Sequence, residues 1–166
     1  NGLNDTDGCP DALPEKRVQI DDRSIRISDQ IHFEASSSDI SSDSLPLIAE
    51  IASALRGNAK VELVEIQGHA DAVGSAQKNV AITKRRAESV RNALIAQGVE
   101  PTRISAVGYG SYCPLPGTQG KNEANRRVEF RVLRTASGVT NTETACAPAV
   151  LAGIRGTNPT GKGPSR

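Results

Sequence analysis

The residues best suited to chemistry are an acid and a base, Asp71 and Arg86, which stand fifteen positions apart. Asp71 belongs to a polar loop, GHADAVGS, and Arg86 falls in the first half of a long predicted helix. A chain that runs from a strand through a loop into a helix can fold both charges into one pocket. There, a carboxylate can accept from a ligand ammonium, and a guanidinium can hold a ligand carboxylate. Spacing alone favours the simpler alternative, a structural salt bridge between the two side chains.

Other kinds of chemical site have weaker support in the sequence. His69 lies beside the loop, but the only other histidine is His32 and no HExxH or CxxC spacing occurs, so a metallohydrolase is disfavoured. No Ser, His and Asp or Cys and His arrangement has supporting motifs, and we therefore predict that the chain is not an enzyme. Asp5 and Asp7 in DTDGCPD resemble the end of a calcium-binding type-3 repeat. The segment is truncated, so an acidic solvated linker is the favoured interpretation and calcium binding the alternative; no other cofactor is predicted.

The charge balance argues against nucleic acid as a partner. Lys and Arg total 20 against 19 for Asp and Glu, a formal net charge of +1, and the few aromatic residues are too scattered to stack bases. No apolar run approaches the roughly 18 residues of a membrane-spanning helix. The chain opens with polar residues and without Met. We therefore expect any targeting signal or membrane anchor to lie outside this segment.

Hydrophobic periodicity predicts the elements that must position the loop and the helix. Runs of β-branched residues at period two indicate strands, and apolar residues at i, i+3 and i+4 indicate helices. Asp43 or Ser44 can cap the first helix and Ser75 the second. The predicted elements are a hairpin at residues 17–28, strands at 31–34, 61–67, 103–109 and 128–133, and helices from about 44 to 57 and from 75 to 97.

Composition predicts one folded domain with irregular ends. With 37% hydrophobic residues, the chain can bury one ordinary core. We place an Asp, Gly and Pro-rich linker at residues 1–16, the domain at 17–135, and an irregular or disordered tail at 136–166. Three cysteines cannot all pair within one chain, and the simplest proposal joins Cys113 to Cys146 and leaves Cys9 over. Such a bond requires an oxidising compartment such as a periplasm.

Five motifs in a fixed order carry a family resemblance: IHFEASSSDI, IQGHADAVGS, NVAITKRRAESVRNAL, GVEPTRISAVGYG and NEANRRVEF. The sequence resembles the OmpA-like C-terminal domains, which include peptidoglycan-associated lipoproteins and the periplasmic part of flagellar stator proteins. The resemblance covers about residues 25–134. It implies an α/β fold of the α+β sandwich type, with a small mixed four-stranded sheet, two main helices packed on one face, and a short N-terminal hairpin.

The resemblance also implies a function, the binding of peptidoglycan without its cleavage. In the family, the Asp of the loop takes the ammonium of meso-diaminopimelate and the Arg of the helix takes its carboxylate; those positions are Asp71 and Arg86 here. Two usually polar neighbours of the Asp are Ala70 and Ala72 in this chain, which weakens the expected affinity. Further ligand contacts or support are expected from Phe33, Ala35, Ser36, Asn79 and, in the NRR segment, Arg127 (with Arg126 as its alternative).

The implied cellular role is to anchor an outer-membrane or periplasmic protein to the cell wall. We expect the domain at the periplasmic face of the outer membrane of a Gram-negative cell, with peptidoglycan of the meso-diaminopimelate type as its partner. One alternative is the peptidoglycan-binding part of a motor or secretion complex. A less favoured alternative is a hydrolase that acts on the same wall peptide.

Overall fold

The computed structural model describes residues 17–35, 37–118 and 120–160. None of the helices within these ranges is both long enough and apolar enough to cross a bilayer. The candidate calcium ligands Asp5 and Asp7, the candidate site residue Ser36 and the third cysteine, Cys9, lie outside the described residues. The regular elements are β1 (Val18–Ile20), β2 (Ser24–Ile27), α1 (Leu45–Arg56), β3 (Val61–His69), α2 (Ala76–Ala96), β4 (Ile104–Gly110), β5 (Arg127–Thr135), β6 (Gly138–Val139) and α3 (Ala147–Leu151).

The sheet is mixed, as predicted, but it has six strands and not four. Its order is β1-β2-β5-β3-β4, with β6 paired to β5, and β3 and β4 form its parallel pair. The predicted hairpin joins this sheet because Ser24 and Ile25 pair with Arg131 and Phe130 of β5. The two main helices, α1 and α2, bury their apolar stripes against one face, which confirms the predicted fold class.

The predicted strand at residues 31–34 was wrong. Phe33 forms a single bridge with Ile40, and the segment folds back as a loop in which Glu34 N–H donates to the Asp39 carbonyl at 2.8 Å. His32 N–H donates to the Ser44 hydroxyl at 2.8 Å. Ser44 therefore precedes α1 without capping it through its side chain, because its hydroxyl is used to hold this loop.

Two glycines allow α2 to lie directly on the sheet. A Cβ at Gly68 would stand 2.2 Å from the Thr83 carbonyl oxygen, and one at Gly108 would stand 2.3 Å from the Lys84 nitrogen. Any larger residue would push the helix away. The helix begins as predicted, with the Ser75 hydroxyl accepting from Lys78 N–H at 3.1 Å. This close packing fixes the height of the first turns of α2 above the ends of β3 and β4.

The tail that follows β5 lies across the second face of the sheet. The sequence predicted an irregular or disordered segment here; it is largely irregular in the structure, with the short elements β6 and α3. We call residues 140–157 the strap. Its hydrogen bonds include Gln67 Nε2 to the Thr144 carbonyl at 3.4 Å and Ser105 Oγ to Thr157 Oγ1 at 2.6 Å. The predicted disulfide between Cys113 and Cys146 is confirmed, and it joins the strap to the loop after β4.

Candidate functional site

Asp71 lies just beyond the end of β3, where the loop leaves the sheet. Its side chain is only 7% exposed, and its Oδ2 atom is 3.1 Å from Arg126 Nε. The same oxygen accepts from Asn122 N–H at 3.2 Å, while Oδ1 accepts from Val73 N–H at 3.3 Å. Three donors therefore satisfy the carboxylate, two of them from the backbone and one from a half-exposed cation.

Asn79 ties the Asp71 loop to the first turn of α2. Its Nδ2 group donates to the Asp71 carbonyl at 3.3 Å and to the Val73 carbonyl at 3.0 Å. The loop turns through Gly74, whose φ of +89° suits glycine. Asn79 therefore stabilises the loop conformation, and the position of Asp71 depends on it.

Arg86 projects from α2 toward the loop that stands in place of the strand predicted at residues 31–34. Its Nε group donates to the Ser37 carbonyl at 3.0 Å, and its guanidinium carbon lies 5.0 Å from the centre of the Phe33 ring. A cation over an aromatic face is attracted by the ring's electrons. Burial lowers the pKa of Arg86, and the positive charge of Arg126 lowers it further, although an arginine still stays charged.

Asp71 and Arg86 are not partners of each other. Among the described residues the ion pair of Asp71 is made with Arg126, and the hydrogen bond of Arg86 is made with Ser37. The structural salt bridge that spacing alone favoured is therefore wrong. Because Arg126 contacts Asp71 and also acts electrostatically on Arg86, the three charges form one group, which we call the charge triad.

A small cavity of about 30 Å³ opens between Phe33, Arg86 and Arg126, over Gly68 and Thr83. A water molecule needs roughly 10 to 15 Å³ by the same measure. The cavity thus suits an end group such as a carboxylate and is too small for a sugar ring. Ala35, the other candidate from this region, is exposed at the neighbouring loop.

The structure separates the two arginines of the NRR segment. Arg126 reaches Asp71, whereas the Arg127 guanidinium is directed to Glu129, with Nε 3.2 Å from Oε1, and to the Cys113 carbonyl at 3.2 Å. Consecutive residues at the start of a strand point to opposite faces, so they cannot share one partner. The candidate Arg127 lines the small cavity as well, although its ion pair and hydrogen bond are with Glu129 and Cys113; Arg126 is the arginine that contacts Asp71.

His69 is buried, and its contacts are those of a residue that supports the fold. Its ring stacks on Tyr109 with centroids 5.4 Å apart, and Nε2 lies 3.1 Å from Gln67 Oε1. Burial lowers its pKa to about 3, so the imidazole is neutral at ordinary pH. The described part of the chain contains no cluster of three or more His, Cys, Asp or Glu side chains that could hold a metal ion.

Comparison with known proteins identifies the family of this chain. Residues 32–128, more than half of the chain, match the OmpA family. Peptidoglycan-associated lipoprotein of Pseudomonas aeruginosa is 32% identical over 115 residues, covering 67% of this chain and 66% of that protein. Outer membrane porin F of the same species is 32% identical over 131 residues, 77% of this chain but 35% of the porin, so the chain spans only part of either relative.

A solved structure supports the same assignment. The peptidoglycan-associated lipoprotein from Burkholderia pseudomallei superimposes with a TM-score of 0.52 at 28% identity, covering 62% of this chain and 87% of that one. The family match includes the loop that holds Phe33, the Asp71 loop, the first half of α2 and the start of β5. The chain therefore belongs to the OmpA family.

Proposed function

We propose that this chain binds peptidoglycan non-covalently, through the meso-diaminopimelate residue of the stem peptide, and so attaches a cell-envelope protein to the wall. The observation that carries the proposal is the setting of Arg86. Phe33 and the Ser37 carbonyl fix its guanidinium, while neither Nη group has a hydrogen-bond partner among the described residues. Two parallel N–H groups held in this way suit the bidentate binding of a carboxylate.

Asp71 supplies the complementary contact for the ligand ammonium. Its present cation, Arg126, has a side chain that is 41% exposed, so water can solvate this guanidinium when it leaves the carboxylate. An incoming ammonium can therefore replace Arg126. The backbone donors from Val73 and Asn122 hold the carboxylate in place during the exchange.

The energetics favour weak binding by single sites and firm attachment by many. Two charge-assisted contacts at about 1.5 to 3 kcal/mol each give roughly 3 to 6 kcal/mol, whereas a micromolar complex requires about 8 kcal/mol. Ala70 and Ala72 flank Asp71 without a polar side chain. Many copies that face a polymeric wall gain avidity, so we expect a millimolar to high micromolar monovalent Kd and strong retention on intact sacculi.

Pelleting with purified sacculi tests the proposal. Arg86→Ala should stay in the supernatant, whereas Arg85→Ala should pellet like the unchanged protein, because Arg85 is exposed on the neighbouring side of α2. Both variants should unfold thermally within a few degrees of the parent. Normal pelleting of Arg86→Ala would show that the site is wrong. Free diaminopimelate should release the bound protein, and free lysine, which lacks the second carboxylate, should not.

The same assay separates a binding module from a hydrolase. We expect no muropeptides to be released while the protein pellets, because we propose no catalytic role for any residue of the site. The relatives named above are a peptidoglycan-associated lipoprotein and an outer membrane porin, which supports attachment of an outer-membrane or periplasmic protein of a Gram-negative cell. The same site would equally serve to attach a motor or secretion complex.

A further inference from the structure

The loop between β4 and β5, residues 111–126, which the structure describes at 111–118 and 120–126, carries groups that organise Asp71. Asn122 N–H donates to Asp71 Oδ2 at 3.2 Å, and the Gly120 carbonyl accepts from Ala72 N–H at 3.2 Å. Arg126, the cation of the ion pair, ends the same loop. The position of Asp71 therefore depends on this loop as well as on Asn79.

The loop contains little regular structure to stabilise it. Its internal bonds centre on Asn125, whose Oδ1 accepts from Leu115 N–H at 2.7 Å and whose Nδ2 donates to Thr118 Oγ1 at 2.7 Å. Near its first residues the loop is anchored by Cys113, which forms a disulfide with Cys146 of the strap. Movement of the strap is thereby transmitted to the loop.

The strap covers a sheet face that is unusually polar. The opposite face, under the helices, presents Val64, Ile66 and Phe130 to the core. A polar face can be hydrated when its cover leaves, so its exposure costs much less than exposure of an apolar face. Leu63 and Leu133 are also buried without belonging to the core under the helices, as is Ala149 of the strap. The disulfide adds a covalent attachment to the apolar and polar contacts of the strap. The buried polar side chains beneath it are Glu65, Gln67, His69, Ser105 and the Tyr109 hydroxyl.

We propose that the disulfide between Cys113 and Cys146 is a positioning element for Asp71, and that its redox state sets how firmly the site holds a ligand ammonium. This regulation rests on the function proposed above. In the oxidised protein the strap and the 111–126 loop are locked. A dithiol reductant opens the bond: it delivers two electrons and two protons to give two cysteine thiols, and it becomes a disulfide itself. The freed loop then holds Asp71 less well.

Hydrogen exchange tests the structural step independently of any ligand. The protein is prepared in a Cys9→Ser background, so that the only thiols are the two under study, and is compared before and after reduction with dithiothreitol. We expect amide exchange in residues 111–126 and at Val73 to accelerate at least tenfold more than exchange in α1 and β3, which should accelerate only by the loss of global stability. Loop exchange that is unchanged, or that accelerates by the same factor as exchange in α1 and β3, would overturn the inference.

Binding of a diaminopimelate-containing muropeptide tests the functional step. Reduction should weaken binding about three- to tenfold, and reoxidation should restore it. In Asp71→Asn, reduction should have little further effect, while in Arg86→Lys it should weaken binding by the same factor as in the parent, because the disulfide acts through Asp71. If reduction weakened muropeptide binding equally in both variants, the disulfide would have only a general structural role. If the oxidised parent failed to bind at all, the proposed function would fall, and the exchange experiment would still decide the role of the disulfide.

Discussion

Glu65 provides the sharpest test of the polar face beneath the strap. It lies in the middle of β3 with no exposed surface, and it accepts a hydrogen bond from the Tyr109 hydroxyl. Burial raises its pKa to about 7, and this effect exceeds the opposing stabilisation of the charged form by Tyr109 and Thr157. The carboxyl therefore takes up a proton on folding near neutral pH.

The sign and size of the effect follow from the two pKa values. The unfolded carboxyl titrates near 4.5 and the folded one near 7, so the stabilisation is complete below pH 4.5 and is lost as the pH rises through 7. At about 1.4 kcal/mol for each pH unit, the loss reaches about 3 kcal/mol by pH 8. This is a large part of the stability of a typical domain, about 5 to 15 kcal/mol.

Urea denaturation from pH 4.5 to pH 8 measures this effect against Glu65→Gln, which keeps the shape and the acceptor for Tyr109 but cannot ionise. The free energy of unfolding of the variant, relative to the parent, should rise by about 3 kcal/mol across this range. His69, with a folded pKa of about 3, acts in the opposite direction, because the unfolded imidazole gains a proton as the pH falls. Since both proteins contain His69, its contribution cancels in the difference. A difference that does not change with pH would refute the reasoning.

Three further predictions concern the supports of the site. Replacing Cys113 and Cys146 by Ser opens a loop with a sequence separation of 33 residues, so the free energy of unfolding should fall by about 3 to 4 kcal/mol in urea titrations; a change below 1 kcal/mol would show that the strap is held by other contacts. Gly108→Ala should destabilise the domain by about 1 to 3 kcal/mol, because its Cβ would meet the backbone of Lys84 at 2.3 Å; an unchanged thermal midpoint would contradict this. Asn79→Ala removes two hydrogen bonds to the Asp71 loop and should cost about 1 to 2 kcal/mol while weakening muropeptide binding several-fold in calorimetry; unaltered affinity would show that the loop needs no such support.

The sequence predicts the helix face of this fold well. The stripe of Thr83, Ala87 and Val90 repeats with the helical period inside the predicted second helix and is buried, and the β-branched run of β3 indicates a central strand. The segment around Phe33 also has the composition of a strand, but it forms a loop. Its backbone N–H groups donate to Ser44 and Asp39, which lie outside the sheet. Local pattern cannot reveal such tertiary partners.

The sequence did not predict that the strap binds the sheet, nor which of the two neighbouring arginines contacts Asp71. Residues 140–157 have no apolar period because they bind the sheet through backbone and hydroxyl groups, such as Thr140 Oγ1 to the Val132 carbonyl at 2.6 Å. For Arg126 and Arg127, the outcome depends on where β5 begins, since a shift of one residue exchanges the faces. The residue types of the NRR segment do not show where β5 begins. The contact of the Asn122 backbone N–H with Asp71 could not be predicted from the sequence, because every residue except proline has such a group.

The charge triad gives a physical reason to expect that the proposed site would prefer diaminopimelate to lysine. Asp71, Arg86 and Arg126 together carry one net positive charge. A lysine side chain would add a second positive charge to this group, whereas the end of diaminopimelate, with its ammonium and its carboxylate, adds none. The ligand carboxylate would also lie close to two guanidinium groups that now repel each other, and it would relieve that repulsion. Selectivity on this account comes from the summed field of the triad, and the Arg86 contact determines where within that field the carboxylate binds.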